Sequence, residues 1–141
     1  MTELDQALAR IVEEFGADSG TIHLLEEDGV LHLKAATAGI PQVVLDVVRL
    51  VPVGKGMAGL AVERNEPVNA CNIQSDASGD VRPGARATGM QGAIVVPIRR
   101  EGSAVGALGI ANRRERIFTD EEIARLGVRA ELAARAILKE E

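Results

Sequence analysis

The sequence predicts an α+β domain built on one antiparallel sheet of about six strands. Three observations carry this prediction. Two pairs of strand-like runs meet at tight turns, Asp28-Gly29 and Glu101-Gly102, so neighbouring strands run antiparallel. Helix-periodic segments stand near both ends, Thr2 to Phe15 and Thr119 to Lys139. Between the hairpins the helical pieces are too short to carry the usual parallel crossovers. At 141 residues the chain is expected to be a single domain, 1–141, with room for one core.

Along the chain, Leu4, Leu8, Ile11 and Phe15 recur at helical spacing until Gly16 stops the run. Ser19 to Glu26 and Val30 to Thr37 read as the first hairpin. Pro41 opens a short helix with Val43, Val44, Val47 and Val48 as its apolar side. Arg49 to Val53 reads as a third strand and Met57 to Asn65 as a second short helix. Pro67 to Ile73 reads as a fourth strand, with proline where a strand start tolerates it. Gln74 to Gly89 is a polar stretch long enough to be functional or disordered. Met90 to Arg99 and Ser103 to Asn112 form the second hairpin. Thr119 and Glu122 make a capping box for the last helix.

Composition removes several function classes. The net charge is -5, which opposes a phosphate backbone, so no nucleic-acid partner is expected. Phe15 and Phe118 are the only aromatics, so a base-stacking platform is missing and the core must be aliphatic. No apolar run approaches a membrane span, and Met1 to Gln6 lacks the charged-then-apolar pattern of a leader. Cys71 is the sole cysteine, which excludes an intramolecular disulfide and a cysteine-rich zinc site. A cytoplasmic location is expected.

The stretch Val53 to Leu60, VGKGMAGL, contains G-x-G-x-x-G, and Asp76 follows at the spacing of a dinucleotide fingerprint. The context does not fit a Rossmann unit. The segment lies between hairpins, its helix is short, and Pro52 suits an edge strand. A phosphate-binding P-loop fails too, because Met57 follows Gly56 where Lys is needed. Gly54 and Gly56 therefore read as a sharp turn, and Gly59 as a close helix-to-sheet contact.

The ordered motifs VPVGKGMAGLAVERNEPVNACNIQSD and GMQGAIVVPIRREGSAVGALGIANRRERIFTDEEIARL resemble a GAF domain over essentially the whole chain. The resemblance implies a profilin- and PAS-like layout. The sheet is central, and the first and last helices pack on one face. A small-molecule pocket lies on the other, under short helices and a lid at 74–89. Asn112, Arg113, Phe118, Asp120 and Glu121 partly match the Asn-Lys-Phe-Asp-Glu signature of cyclic-nucleotide-binding members. That signature is mostly structural in the family, so a cyclic nucleotide is not favoured and no cofactor is expected.

Candidate ligand-binding residues are Met57, Asn69, Cys71, Asp76, Arg82, Arg86, Thr88 and Gln91. Asn69 and Cys71 share a face at period two, and the resemblance puts that face on the pocket. Cys71 is either a redox thiol or a small buried apolar residue. Arg82 or Arg86 suits a carboxylate or phosphate, and Asp76 suits a lid-helix cap or a ligand amine. Thr88 and Gln91 offer neutral hydrogen bonds. Ala35, Val62 and Val95 are expected in the inner wall. His23 and His32 stand nearly opposite across the first turn, as a structural pair or, with a third ligand, a metal pair. Haem ligation would need a lone His facing the pocket. A bilin chromophore needs a Cys-His pair near the lid, which is missing.

Three functions remain. The first is a non-catalytic sensory domain that binds a small ligand and passes the change through its terminal helices to a dimer partner or another signalling protein. The second is an enzyme resembling the GAF-fold free methionine-R-sulfoxide reductases, opposed by the missing cysteines. The third is a ligand-free dimerisation module. No catalytic constellation and no metal site is read. Apolar residues on two sides of the last helix, Ile123, Leu126, Ala130, Ala133 and Ile137 against Val128, Leu132 and Leu138, suggest a homodimer through the terminal helices.

Overall fold

The computed structural model describes residues 2–75, 78 and 88–138. The elements follow the order α1 (Glu3–Glu14), β1 (Ser19–Leu25), β2 (Val30–Ala36), α2 (Gln42–Val48), β3 (Leu50–Pro52), α3 (Gly56–Arg64), β4 (Val68–Ala70), β5 (Gly92–Arg100), β6 (Ser103–Asn112) and α4 (Asp120–Leu138). Among the described residues the strands form one antiparallel sheet in the order β3-β2-β1-β6-β5-β4. Both ends of the sheet fall on three-residue strands beside a proline, Pro52 in β3 and Pro67 before β4. A proline cannot donate to a ladder, so these strands stay short and at the edges.

The two faces of the sheet are built from residues of different size. Ile22, Leu24, Ile94, Val96, Ile98, Leu108 and Ile110 point to one face and pack against Leu4, Leu8, Ile11 and Phe15 of α1 and Leu126, Ala130 and Ala134 of α4. This is the main core. The other face carries Thr21, His23, Ala93, Val95, Gly109 and Ala111, and α2 and α3 lie over it. Ala35 belongs to the first face, not to the pocket wall that the sequence suggests, because it pairs with Ile22 and cross-strand partners share a face. Val62 packs with Leu31, Val51 and Ala107 beneath α3, beside the cavity rather than in its described lining.

Thr2 caps α1 with the reciprocal Asp5 bond, and Thr119 caps α4 through the predicted box with Glu122. α1 and α4 are joined by Glu14, whose carboxylate accepts from Arg129 at 3.0 Å, and by Arg125 lying 4.9 Å from the Phe15 ring centroid. Val128 and Leu132 remain exposed on α4, so α1 covers only one of its two apolar stripes.

The glycine-rich turn lies in tight contact with the edge of the sheet. Gly54 has a φ of 90°, and its N–H donates to the Gly59 carbonyl at 2.9 Å. A Cβ on Gly59 would lie 2.4 Å from the Pro52 carbonyl oxygen, a backbone atom that cannot swing aside. Gly59→Ala is therefore expected to destabilise the fold by about 1–3 kcal/mol. A urea midpoint unchanged from the wild type would show that α3 can lift without cost.

Candidate functional site

The small-residue face encloses a cavity of about 540 Å³ between the sheet and α2, the β3–α3 turn and the start of α3. Its space exists because small residues of β5 and β6 face it and large ones face away. Ala93, Val95, Gly109 and Ala111 face the cavity, while Ile94, Leu108 and Ile110 fill the opposite core. The walls are mainly aliphatic: Ile40, Val44, Val47, Val48 and Val51 from the α2 side, Met57 and Ala58 from α3, and Ile73 and Met90 near the lid. The charged lining residues Asp18, Lys55 and Arg113 are exposed and mark its rim. The turn Lys55 to Ala58 brings the start of α3 to the cavity, and no side chain caps that helix. The uncapped N-terminus of α3 thus stands beside the cavity.

His23 is the one buried titratable group in the described lining, at 3% exposure. Its Nε2 lies 2.8 Å from the Val48 carbonyl at the end of α2. A carbonyl only accepts, so Nε2 carries the proton. Burial pushes the His23 pKa below its ordinary 6.5, and the Val48 bond offsets this only in part. A histidine held neutral in the fold takes up its proton more readily in the unfolded chain. Stability is therefore full above 6.5 and falls as pH drops from 6.5 toward the lowered folded value. The lowered carboxylates Asp5, Asp28, Glu26 and Glu122 act later, below their ordinary 3.8 and 4.5. Between pH 6.5 and 4.5 a loss of stability is expected in the wild type and a flatter profile in His23→Leu. Parallel urea profiles for the two proteins over that range would contradict this.

The candidates from the sequence divide. Met57 and Thr88 line the cavity. Asp76, Arg82 and Arg86 lie outside the described residues. Asn69, Cys71 and Gln91 are not among the described lining residues. The expectation for Asn69 is corrected by register, and that for Cys71 by its exposed place beyond β4. Val68 pairs with Val95 and Ala70 with Ala93, both on the cavity side, whereas Asn69 pairs with Ile94 of the opposite face. Asn69 thus stands on the face opposite the cavity. Cys71 follows the end of β4 and is exposed rather than buried, with its Sγ 3.8 Å from the Glu115 carboxylate. Gln91 uses its backbone to bridge Ile73 and Asn112.

The histidines do not pair. His23 lies opposite Leu33, and His32 opposite Leu24. The hairpin loop has an odd number of residues, centred on Asp28, and a slip of one residue reverses the face. His32 stands outside, 2.8 Å from Asp28 Oδ2. His23 thus becomes the lone histidine on the pocket side, with its Nε2 committed to Val48. The sequence reading missed it as a site residue. The available signal was Ser19, Thr21 and His23 alternating with Ile22 and Leu24.

Asn112 does not touch the cavity either. It is buried, donating to the Gly16 carbonyl at 2.8 Å and accepting from Arg116 at 2.8 Å. Arg116 in turn binds Glu122 at 2.7 Å and covers the Phe118 ring. Arg116 and Glu122 are thus the partners around Asn112, in place of Arg113, Asp120 and Glu121.

A family model described as a GAF domain matches residues 1–138. The chain belongs to the GAF domain family. The solved structure of a type II free methionine-R-sulfoxide reductase from Thermoplasma acidophilum is 25% identical, with a TM-score of 0.75 over 97% of this chain and 91% of that one. The GAF domain of an Acinetobacter phosphoenolpyruvate-protein phosphotransferase is 20% identical, with a TM-score of 0.73 over 96% and 82%. The NreA protein of Staphylococcus aureus, mutated in its nitrate binding site, is 19% identical, with a TM-score of 0.68 over 86% and 96%. At those last two identities the likeness is one of fold. No curated protein matches the sequence. In this GAF domain no helix among the described residues is long and apolar enough to cross a membrane. Nor do the described residues group three or more His, Cys, Asp or Glu where they could hold a metal ion.

Proposed function

We propose that this GAF domain is a non-catalytic sensor that binds a small molecule in the cavity over the small-residue face. The cavity itself carries the reading: about 540 Å³, aliphatic walls and few polar groups. This is the usual pattern of a small-molecule site. It also opposes the ligand-free alternative, in which that face would be filled. Met57 and Thr88 contact the ligand from the walls. Asp76, Arg82 and Arg86 are proposed as polar partners from the lid. The fold likeness to a protein with a nitrate binding site is consistent with a small ligand.

The chain's own residues weigh against the other ligand and enzyme readings. Phe15 and Phe118 both sit in the core on the helix face, so neither can stack on a purine in the cavity. A reductase mechanism needs a thiol at the substrate, and Cys71 lies outside the described lining. Signals would leave through α1 and α4. The exposed pair Val128 and Leu132, one turn apart on α4, supports a homodimer along that helix.

Native mass spectrometry before and after denaturation tests the reading. A co-purified small molecule released on denaturation supports it and gives the ligand's mass. A bare protein at twice the monomer mass, unresponsive to any metabolite extract, would favour the dimerisation module.

A further inference from the structure

The inference concerns the interior of the cavity and rests on the ligand-binding reading above. His23 has two ring nitrogens in different situations. Nε2 donates to the Val48 carbonyl at 2.8 Å. Nδ1 makes no hydrogen bond to any described residue. Among the described residues, no enclosed side-chain nitrogen or oxygen lacks a partner. The unpartnered Nδ1 is therefore open, and because His23 is buried and lines the cavity, it opens onto the cavity.

The Val48 bond fixes the proton on Nε2, and burial keeps the ring from taking a second one. Nδ1 is then a bare lone pair. It can accept a hydrogen bond and cannot donate one. The cavity walls are mostly aliphatic, and none of the described polar lining residues, Ser19, Thr21 or Thr88, hydrogen-bonds it. A ligand group that fills the space must either satisfy Nδ1 or leave it unmet, and an unmet buried acceptor is costly. At the exposed rim two cations, Lys55 and Arg113, stand against one anion, Asp18, so the net charge disfavours an ammonium donor. We propose that His23 is the residue that selects the ligand, accepting through Nδ1 from an uncharged O–H or N–H group and rejecting molecules of the same shape that offer only an acceptor.

Cyclohexanol and cyclohexanone form a matched pair of probes, nearly equal in size, one with a donor and one without. Binding would be followed by the methyl resonances of Val44, Val95 and Met57, and the His23 ring nitrogens by long-range nitrogen–proton spectra. Cyclohexanol is expected to bind about tenfold or more tightly than cyclohexanone. It is also expected to shift Nδ1 while the Nε2 proton stays in place. In His23→Leu the preference should vanish, and the ring-nitrogen measurement on the wild type stands even if that variant does not fold. Equal binding of both probes, or a proton found on Nδ1, overturns the proposal and leaves the cavity a ligand site. If neither probe moves any cavity methyl, the ligand-binding reading itself fails and takes this proposal with it.

Discussion

Replacing Arg116 by Met is expected to destabilise the protein by about 2–4 kcal/mol, while Arg113→Met changes stability by no more than about 0.5 kcal/mol. Only about a tenth of the Arg116 side chain is exposed, and it holds three things at once. It donates to Asn112 Oδ1 at 2.8 Å, pairs with Glu122 at 2.7 Å and lies 4.2 Å over the Phe118 ring centroid. Met keeps the apolar stem but leaves the Asn112 oxygen, 2% exposed at the residue level, without its donor. An acceptor stranded in that position costs its full desolvation. Glu122 loses less. Its carboxyl is held below the ordinary 4.5 first by the Thr119 N–H and only then by Arg116. Arg116→Lys should recover little, because one ammonium cannot reach both Asn112 and Glu122 with the geometry of a planar fork. Urea unfolding of the three variants decides this. Equal losses for Arg113→Met and Arg116→Met would mean that the knot around Asn112 is not what ties the start of α4 to the sheet.

That knot also shows where a motif can mislead. The partial resemblance to the family signature puts Arg113, the residue next to Asn112, at its basic position. In the fold, the chain after β6 passes close over Gly92, whose absent Cβ would fall 2.7 Å from Arg116 Cβ. This path carries Arg113 out to the cavity rim and returns Arg116 to Asn112. Only the path of the loop, which sequence spacing does not encode, decides between the two arginines.

Much of the architecture was legible for simple reasons. The two hairpin turns, the capping box of α4 and the prolines of the edge strands each act within a few residues of themselves. The errors arose where the outcome depends on parity. An odd loop around Asp28 moved His32 to the outside, the register of β4 against β5 turned Asn69 away from the cavity, and Cys71 lies exposed beyond the end of β4. The run Val68, Asn69, Ala70, Cys71, from β4 to just past its end, has small residues on both sides, so polarity alone could not choose the face. The cavity left a clearer trace that the reading passed over. Ala107-Leu108-Gly109-Ile110-Ala111 alternates small and large through one strand. Such a strand builds a core on one side and leaves room on the other.

The same alternation sets up opposite responses at adjacent positions of β5. Ala93→Phe is expected to abolish binding of cyclohexanol while the protein stays folded, and Ile94→Phe to destabilise it by about 1–3 kcal/mol or more while the cavity still binds. Ala93 is buried beside Ala70, Ile73 and Met90 and faces the open volume, so an added ring has space to enter and occupies the ligand's place. Ile94 is fully buried among the side chains of α1 and α4, where interiors are close-packed and extra volume forces strain. Thermal unfolding and the Val44 and Val95 methyl shifts measure both effects on the same samples. If Ala93→Phe unfolds the domain as Ile94→Phe does, the space over the small-residue face is not available in solution. If Ala93→Phe leaves binding intact, the probe binds somewhere other than this cavity. Only the paired outcome, binding lost at one residue and stability lost at the next, fits a sheet with a packed face toward its terminal helices and a face left open for a ligand.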